Sequence, residues 1–269
     1  MTLEILISTL DEGINNVPAM LLTQQENIGY LVSWQHSKGK DIALPHELMR
    51  SDVKVCNLDG RGLSRNRNNS IKNATADLCL IADDDCTYTH EQLQQVIDTF
   101  EKNPDVDIAN FRFSGEGSNK WYPSTVQDLT TFPKGYYVSS IEMAFRRLSV
   151  QGKLWFNENF GLGAEPFHCG EENIFLRSAL AKGLSCKFFP ITVVKEKDSS
   201  ICIKRDNDPG TLRSYGAELH LFQPRTKYLR MILKAYRLWH NRNVPFFHAL
   251  RHMNNGINYI KTHPEIMGN

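Results

Sequence analysis

Three adjacent carboxylates, Asp83-Asp84-Asp85, follow directly after the apolar run of residues 78–82. Five apolar or small residues in succession are typical of a central parallel strand that is covered on both faces. In an open α/β sheet, ligands bind just beyond the carboxyl ends of such strands, so the acids stand where a ligand is expected. Three neighbouring carboxylates repel one another unless a positive charge lies among them, and a divalent cation bridging to a phosphate is the simplest candidate.

A second acidic segment, Gly170-Glu171-Glu172-Asn173, opens a predicted helix over residues 174–182 that stops at Gly183. Acids at a helix N-terminus interact favourably with the helix dipole, so a purely structural role is one interpretation. The preceding residues 156–169 are rich in glycine and aromatic side chains, which favours a backbone that passes close to a ligand. Desolvation at the rim of an apolar pocket would raise the pKa of a carboxylate there toward that of a general base. A solvated loop is likewise the simpler interpretation of an isolated acid triplet, and the two segments together favour a site.

Strands and helices alternate around these acids. Strands are predicted over residues 3–7, 30–34, 53–56 and 78–82, and helices begin near Val17, at Ser64 and at Thr89. This alternation indicates βαβ units and therefore an α/β fold with a mostly parallel sheet flanked by helices.

Two further patterns refine this prediction. Thr89 and Gln92 match a capping box, and the helix that follows has one apolar face formed by Leu93, Val96, Ile97 and Phe100. Residues 114–135 are rich in Gly, Ser, Pro and aromatic residues, and they are predicted to form a long surface loop of the kind that often covers a binding site.

The composition is that of an ordinary globular protein. The 269 residues, 41% of them hydrophobic, suffice for one large domain or two small ones. The six cysteines form no C-x-x-C pair, which indicates reduced, structural thiols. No signal-peptide pattern opens the chain, and no apolar run approaches the ~18 residues needed to span a bilayer. The sequence therefore predicts a cytoplasmic location.

Four segments together resemble the family 2 glycosyltransferases of the GT-A fold, in particular bacterial enzymes that assemble surface polysaccharides. They are residues 62–68, 80–85, 156–164 and 170–172, in the order and spacing of that family. The resemblance covers roughly residues 1 to 200. It implies a Rossmann-like nucleotide-binding sheet and an inverting transfer of a sugar, of the hexosyltransferase type. The donor would be a nucleotide diphosphate-sugar and the acceptor a hydroxyl of a carbohydrate in capsule or O-antigen assembly.

The resemblance also implies the site residues. Asp83 and Asp85 match the ends of the family's D-x-D motif and would hold Mg²⁺ or Mn²⁺ against the donor phosphates. Arg67 matches an Arg-Asn pair beside the donor, although a salt bridge that only balances the acids is an equal alternative. Glu172 falls where the family has its general base, and Glu171 would support it. The residues assigned to the nucleotide-sugar are Thr9, Gln35, Arg67, Asp83 and Asp84.

Three positions depart from the family pattern. Gln35-His36 stands where paired aspartates usually read the nucleobase, so the identity of the nucleobase stays open. The Gln35 amide can still pair with the edge of a nucleobase. Asn157 stands where an acid is common. A metal-ligand histidine that some relatives carry after the base motif is missing, and either Asp198 replaces it or the third protein ligand is absent.

The C-terminal segment has a different charge pattern. Residues 219–264 contain eight Lys or Arg and no Asp or Glu. Residues 227–242 form a predicted basic amphipathic helix, either packed on the catalytic domain with its basic face in solvent or lying on an anionic membrane with Trp239 and Phe246-Phe247 at the headgroups. We predict a catalytic domain over residues 1–215 and a helical extension over residues 216–269. The expected location is the inner face of the cytoplasmic membrane, near a lipid-linked acceptor.

Two other functions fit parts of the same pattern. A nucleotidyltransferase also joins a nucleotide-binding sheet to metal-binding acids, but the first loop lacks the glycine- and basic-rich segment that would grip phosphates. A non-catalytic nucleotide or carbohydrate binder would not need intact acids at both sites, and donor turnover distinguishes it. Nucleic acid is not an expected partner, because no recognition motif accompanies the basic residues.

Overall fold

The computed structural model of the chain describes residues 1–37, 40–115, 120–196, 206–242 and 244–267, the side chain of Glu196 excepted. The chain forms two compact units. The first comprises Met1–Arg61, Arg65–Phe156 and Glu172–Ser199, and the second comprises Gly62–Ser64, Asn157–Glu171 and Ser200–Asn269.

Within the described residues, nine strands form one sheet in the order β3-β2-β1-β4-β8-β6-β9-β5, with β7 paired to β9. The strands are β1 (Leu3–Leu10), β2 (Ile28–His36), β3 (Val53–Asp59), β4 (Leu78–Asp83), β5 (Cys86–Thr87), β6 (Ile108–Gly115), β7 (Gln127–Asp128), β8 (Met143–Arg146) and β9 (Cys186–Glu196). The four strands predicted from the sequence are all present, and each of them runs further than predicted.

The sheet combines parallel and antiparallel pairs. Strands β3, β2, β1 and β4 are parallel neighbours, as predicted. Strand β8 joins them to β6 by antiparallel pairing on both sides, which the sequence did not indicate. Because the four parallel strands end at one edge, this half of the sheet gathers the polar residues that follow each strand.

Alternate residues of each strand pack into two apolar clusters, because successive side chains of a strand point to opposite faces. Leu3, Ile5 and Ile7 belong to the cluster that includes helix α2, whereas Leu6 belongs to the one that includes α1 and α4. The helices are α1 (Leu63–Asn73), α2 (His90–Lys102), α3 (Arg147–Val150) and α4 (Glu171–Ala181). The sheet is therefore covered by helices on both faces, which confirms the predicted α/β class.

The capping box of α2 is confirmed. The Thr89 hydroxyl accepts a hydrogen bond from the Gln92 backbone amide at 3.2 Å, and the Gln92 side chain accepts one from Thr89 N at 2.9 Å. The predicted helix stop at Gly183 is also present, since this glycine has φ +81°, in the left-handed region.

Other local predictions were wrong, wholly or in part. Residues Asp11–Met20 form a 3-10 helix that contains Pro18, not an α-helix from Val17. Ser64 lies inside α1 and donates its hydroxyl hydrogen to the carbonyl of Phe160 at 2.5 Å instead of capping the helix. The predicted surface loop over residues 114–135 is confirmed in part: its described residues after 119 are mostly irregular and solvent-accessible, but they include a short strand, β7, paired to β9, and Leu129 in the core. Residues 116–119 of that loop lie outside the described residues.

The second unit contains three long helices, α5 (Pro209–Phe222), α6 (Lys227–Arg242) and α7 (Phe246–Thr262). Helices α5 and α7 approach closely through glycines: a Cβ at Gly216 would lie 1.8 Å from the Met253 carbonyl oxygen, and one at Gly256 would lie 2.0 Å from the Arg213 carbonyl oxygen. Helix α6 has the predicted bounds. The predicted domain boundary after residue 215 falls inside α5 and remains a prediction. Among the described helices, none is both long and apolar enough to cross a bilayer.

Candidate active site

The strand register brings the predicted donor residues to one edge of the sheet. Asp83 at the end of β4 pairs with Ser8 of β1, and the next residues of β1, Thr9 and Leu10, pair with Trp34 and Gln35 of β2. Parallel strands in this register end side by side, so Thr9, Gln35 and Asp83 share the carboxyl edge where α/β sheets bind ligands.

Asp84 is fixed to the end of β1. Its Oδ2 accepts a hydrogen bond from the Thr9 hydroxyl at 2.5 Å. Gly13 is packed against both groups, since a Cβ there would lie 2.2 Å from Asp84 Oδ2 and 2.5 Å from Thr9 Oγ1. Burial raises the pKa of the Asp84 carboxyl to about 6, so this carboxyl loses its proton only near neutral pH.

Arg67 is buried beside the acids, with a side chain that is 1% exposed. Its Nη2 donates to Asp83 Oδ1 at 3.1 Å and to Ser140 Oγ at 2.6 Å, and its guanidinium carbon lies 5.5 Å from the centre of the Phe156 ring. Of the two interpretations of Arg67, these contacts favour the one in which it balances and orients the acids. Asp83 itself is 36% exposed, so its carboxylate is also accessible to a ligand.

The asparagines on either side of Arg67 tie helix α1 to its surroundings. Asn66 Nδ2 donates to the Thr9 carbonyl at 2.9 Å. The Asn68 side chain exchanges two hydrogen bonds with the backbone of Phe156, at 2.9 and 2.8 Å. These buried amide contacts fix β1, Arg67 and Phe156 in one arrangement. Asn66 was not among the predicted site residues, although it lies in the segment 62–68 that resembles the family.

Asp11 joins the loops after β1 and β2 through hydrogen bonds. The Asp11 carboxylate accepts from Ser37 N at 2.7 Å and from Ser37 Oγ at 2.8 Å, and its carbonyl accepts from Trp34 Nε1 at 2.9 Å. The Ser37 amide is the main cause of the lowered pKa of Asp11. Asp11 has φ +51°, a conformation uncommon for residues other than glycine, which often occurs where a loop is held for binding. This residue was not among those predicted for the site.

Gln35 lies within this arrangement with 2% of its surface exposed. In the part of the chain that the structure describes, its Nε2 is buried and makes no hydrogen bond. A buried amide hydrogen without an acceptor is costly, so a ligand acceptor at this position would bind favourably.

Asp83, Asp84 and Asp85 would bind a metal ion only if a bound ligand supplied further oxygen atoms. Across the described ranges, no three His, Cys, Asp or Glu are arranged to hold a metal ion. Asp83 and Asp84 already bond to Arg67 and Thr9. Carboxylate oxygens are the ligands that Mg²⁺ and Mn²⁺ prefer, so the donor set fits a cation whose other ligands are phosphate oxygens and water. Asp198, considered above as a third protein ligand, lies outside the described residues.

The predicted base segment opens helix α4. Glu171 is 5% exposed. It packs against Gly161, which has φ +107° and where a Cβ would lie 3.1 Å from Glu171 Cδ. Phe160 and Phe167 flank this turn in sequence, and their rings stack on one another with centroids 4.3 Å apart. Glu172, the next residue, is half-buried. The glycine- and aromatic-rich stretch therefore packs against the first acid of the pair.

Asn157 has a structural reason to be an amide. Its Nδ2 donates to the Ile266 carbonyl at 2.6 Å, while its Oδ1 accepts from Asn159 N at 3.0 Å. A carboxylate cannot donate to a carbonyl, so an acid at this position would lose the first of these bonds.

A buried ion pair between Lys120 and Glu142 lies next to Ser140, the residue that accepts a hydrogen bond from Arg67. Lys120 Nζ lies 2.6 Å from Glu142 Oε2, and both side chains are fully buried. The Tyr122 hydroxyl also donates to Glu142, and Lys120 Nζ lies 4.3 to 5.7 Å from the centres of four aromatic rings. Glu142 closes the 3-10 helix Ser140–Glu142, whose Ser140 hydroxyl accepts from Arg67. The partners are 22 residues apart, so no local pattern in the sequence indicates this pair.

Replacing Glu142 by Gln is expected to destabilise the fold by about 3 to 5 kcal/mol, because the buried Lys120 ammonium loses its counter-charge. Chemical denaturation measures this difference. The double variant Lys120→Met with Glu142→Gln should recover part of the loss, since it removes the buried charge as well. Asp105→Asn, which breaks the exposed pair with Lys187, serves as the control and should change stability much less. If Glu142→Gln and Asp105→Asn destabilise the fold equally, burial does not make the Lys120–Glu142 pair more important than an exposed one.

Comparison with known proteins shows the family and the fold. The profile of the glycosyl transferase family 2 matches residues 31–180, more than half of the chain. Residues 1–349 of TarS from S. aureus superpose with a TM-score of 0.56 at 13% identity, covering 93% of this chain and 81% of that one.

The same TarS fragment in complex with UDP gives a TM-score of 0.55 at 13% identity, with 96% and 81% of the two chains covered. Its complex with UDP-GlcNAc gives 0.54 at 12% identity, with 97% and 73% covered. No curated protein matches the chain by sequence. The superposition confirms the GT-A fold, and the profile match shows that the chain belongs to glycosyltransferase family 2.

Proposed function

We propose that this glycosyltransferase moves a sugar, with inversion, from a nucleotide diphosphate-sugar to a hydroxyl of a carbohydrate acceptor in bacterial capsule or O-antigen assembly. The observation that carries the proposal is the acid cluster at the end of β4, oriented by Arg67 and Thr9 beside the ends of β1 and β2. Family membership sets aside the nucleotidyltransferase alternative. Turnover distinguishes the enzyme from a binder.

The donor phosphates belong beside the three acids in this proposal. When bound, Mn²⁺ or Mg²⁺ stabilises the negative charge that grows on the leaving nucleoside diphosphate. Asp83 and Asp85 would hold the ion, and Asp84 would contact the ribose or the metal's water. Arg67 keeps Asp83 in position, so its effect on the donor is exerted through that carboxylate.

The nucleobase belongs beside Gln35. Its buried Nε2 can donate to a carbonyl oxygen on the edge of the nucleobase. The hydrogen bonds between Asp11 and Ser37 hold the loops on either side. UDP-sugars are the first donors to test, because TarS has been solved with UDP and with UDP-GlcNAc.

Replacing Gln35 by Leu is expected to weaken UDP binding about tenfold, the cost of one buried hydrogen bond. Titration calorimetry measures the dissociation constant. Gln24→Leu is the matched control, because Gln24 donates to Ser51 in an exposed contact and its replacement should leave the affinity unchanged. If both variants bind UDP as tightly as the wild type, Gln35 does not read the base.

The acceptor hydroxyl must lose its proton as it attacks the anomeric carbon. Glu172 is the proposed base, and Glu171 shapes the turn that precedes it. One base acting in one displacement at the anomeric carbon gives inversion of configuration.

The enzyme is proposed to work at the inner face of the cytoplasmic membrane on a lipid-linked acceptor. The charge of residues 219–264, eight Lys or Arg and no acid, supports this location because the cytoplasmic leaflet is anionic.

A thermal-shift screen of nucleotide-sugars with Mn²⁺ present tests the function, because a donor that binds the folded state raises Tm by mass action. We expect one nucleotide-sugar to raise Tm and to release its nucleoside diphosphate slowly in the presence of acceptor or water. A screen in which free nucleotides and nucleotide-sugars all leave Tm unchanged would contradict the proposal.

A further inference from the structure

Helix α6 is apolar on two sides. Its inner side, Met231, Ala235 and Leu238, is buried in a cluster with residues of α5 and α7. A second set of large side chains on the same helix is 47 to 61% exposed. These residues, here called the outer face, are Tyr228, Leu229, Ile232, Leu233, Tyr236 and Trp239.

The outer face is continuous. At ~100° per residue, its six side chains fall within about 140° of the helix circumference. Tyr236 and Trp239 contact one another, with ring centres 5.9 Å apart. Phe247, in the first turn of α7, is also 80% exposed. Scattered apolar residues on a surface are ordinary, but a contiguous group of this kind usually marks a surface that binds something.

The charges beside the outer face identify its partner. Arg230 and Arg237, one above the other on the helix and both exposed, line one edge of the face. Helices α6 and α7 contain no Asp or Glu. A second copy of the chain that docked through the same face would therefore bring arginines together without acids to pair with them. An anionic lipid surface offers phosphates to the arginines and an apolar layer to the remaining side chains, with tyrosine and tryptophan suited to the boundary.

We propose that the outer face of α6 lies in the headgroup layer of an anionic bilayer, with the helix axis parallel to the membrane. This surface deepens, and rests on, the proposed function at the membrane, since a lipid-linked acceptor would be reached from there. Arg230 and Arg237 contact lipid phosphates, and the six apolar side chains of the outer face enter the boundary with the acyl chains.

Vesicle flotation with the full chain tests this surface. The wild type is expected to bind vesicles containing phosphatidylglycerol at low ionic strength, to bind less in high salt, and to bind pure phosphatidylcholine weakly. The double variant Leu229→Ser with Ile232→Ser should lower partitioning at least about tenfold, because apolar burial contributes most of the binding. Arg230→Gln with Arg237→Gln should remove the preference for anionic vesicles and much of the salt dependence.

The matched control is Met49→Ser with Leu148→Ser, two apolar residues that are 67% and 69% exposed and lie outside α6. Partitioning of this control should equal that of the wild type. The proposal is overturned if wild-type protein ignores anionic vesicles at low salt, or if control and outer-face variants lose binding equally. It is also overturned if sedimentation shows a dimer that the outer-face substitutions dissociate, because the face would then join two copies.

Donor-induced thermal shifts on the same variants keep the two proposals separate. All variants should retain the wild-type Tm and its shift with donor, because the outer face is exposed and remote in sequence from the acids. Vesicle binding without any donor shift would leave the lipid surface standing and refute the proposed reaction. A donor shift without vesicle binding would support the proposed reaction and refute the lipid surface.

Discussion

Replacing Glu172 by Gln is expected to lower kcat by about 10² or more, because the amide keeps the size of the side chain and loses the proton acceptor. Donor affinity should remain nearly unchanged, since the substitution affects the acceptor proton and not the diphosphate. Initial rates at saturating acceptor give kcat, and calorimetry gives the donor dissociation constant. Both are needed, because a misfolded variant would lose both together.

Glu171→Gln is the matched comparison. Glu171 is buried and packs against Gly161 in the glycine turn, so its substitution should affect stability more than the chemical step. If Glu171→Gln is inactive while Glu172→Gln keeps a near-normal kcat, the base has been assigned to the wrong residue. If both stay active, the segment is only a helix start with favourable charges, the structural alternative raised by its sequence.

Replacing Asp85 by Ala is expected to abolish metal-dependent donor binding and turnover while leaving the fold intact. The Asp85 carboxylate supplies one of the hard oxygen ligands that such an ion prefers, and alanine supplies none. Addition of a chelator to the wild type should have the same effect. Nucleoside diphosphate release and the Mn²⁺ dependence of the donor thermal shift are the measurements.

Asp105→Ala provides the control for loss of a carboxylate, because Asp105 is an exposed acid paired with Lys187. It should retain metal dependence and rate. Full activity of the wild type in excess chelator, or of Asp85→Ala without added metal, would rule out a metal held by these acids.

Local sequence patterns predicted the frame of the site well. The apolar run before Asp83 predicted a buried strand, Thr89 and Gln92 predicted the start of α2, and residues 227–242 match α6. Each of these features depends on neighbours within one strand or helix, where hydrophobic period and capping chemistry act directly.

Contacts between distant residues could not be predicted in this way. Arg67 meets Ser140 across 73 positions and Asp11 meets Ser37 across 26, and neither pairing leaves a periodic trace. The antiparallel insertion of β8 likewise depends on tertiary pairing. The resemblance predicted Arg67 and Asp83 as site residues, and the fold explains why the two lie next to each other.

The most direct measurement of the central claim is release of nucleoside diphosphate from the donor that the thermal-shift screen identifies, with an acceptor saccharide present. The same preparation is measured with Mn²⁺, with chelator, and as the Glu172→Gln variant. We expect release with Mn²⁺ and almost none with chelator. In the variant, the rate should be lower by a factor of about 10² or more. One glycosidic bond should form per diphosphate released. Equal rates in all three measurements would contradict the account.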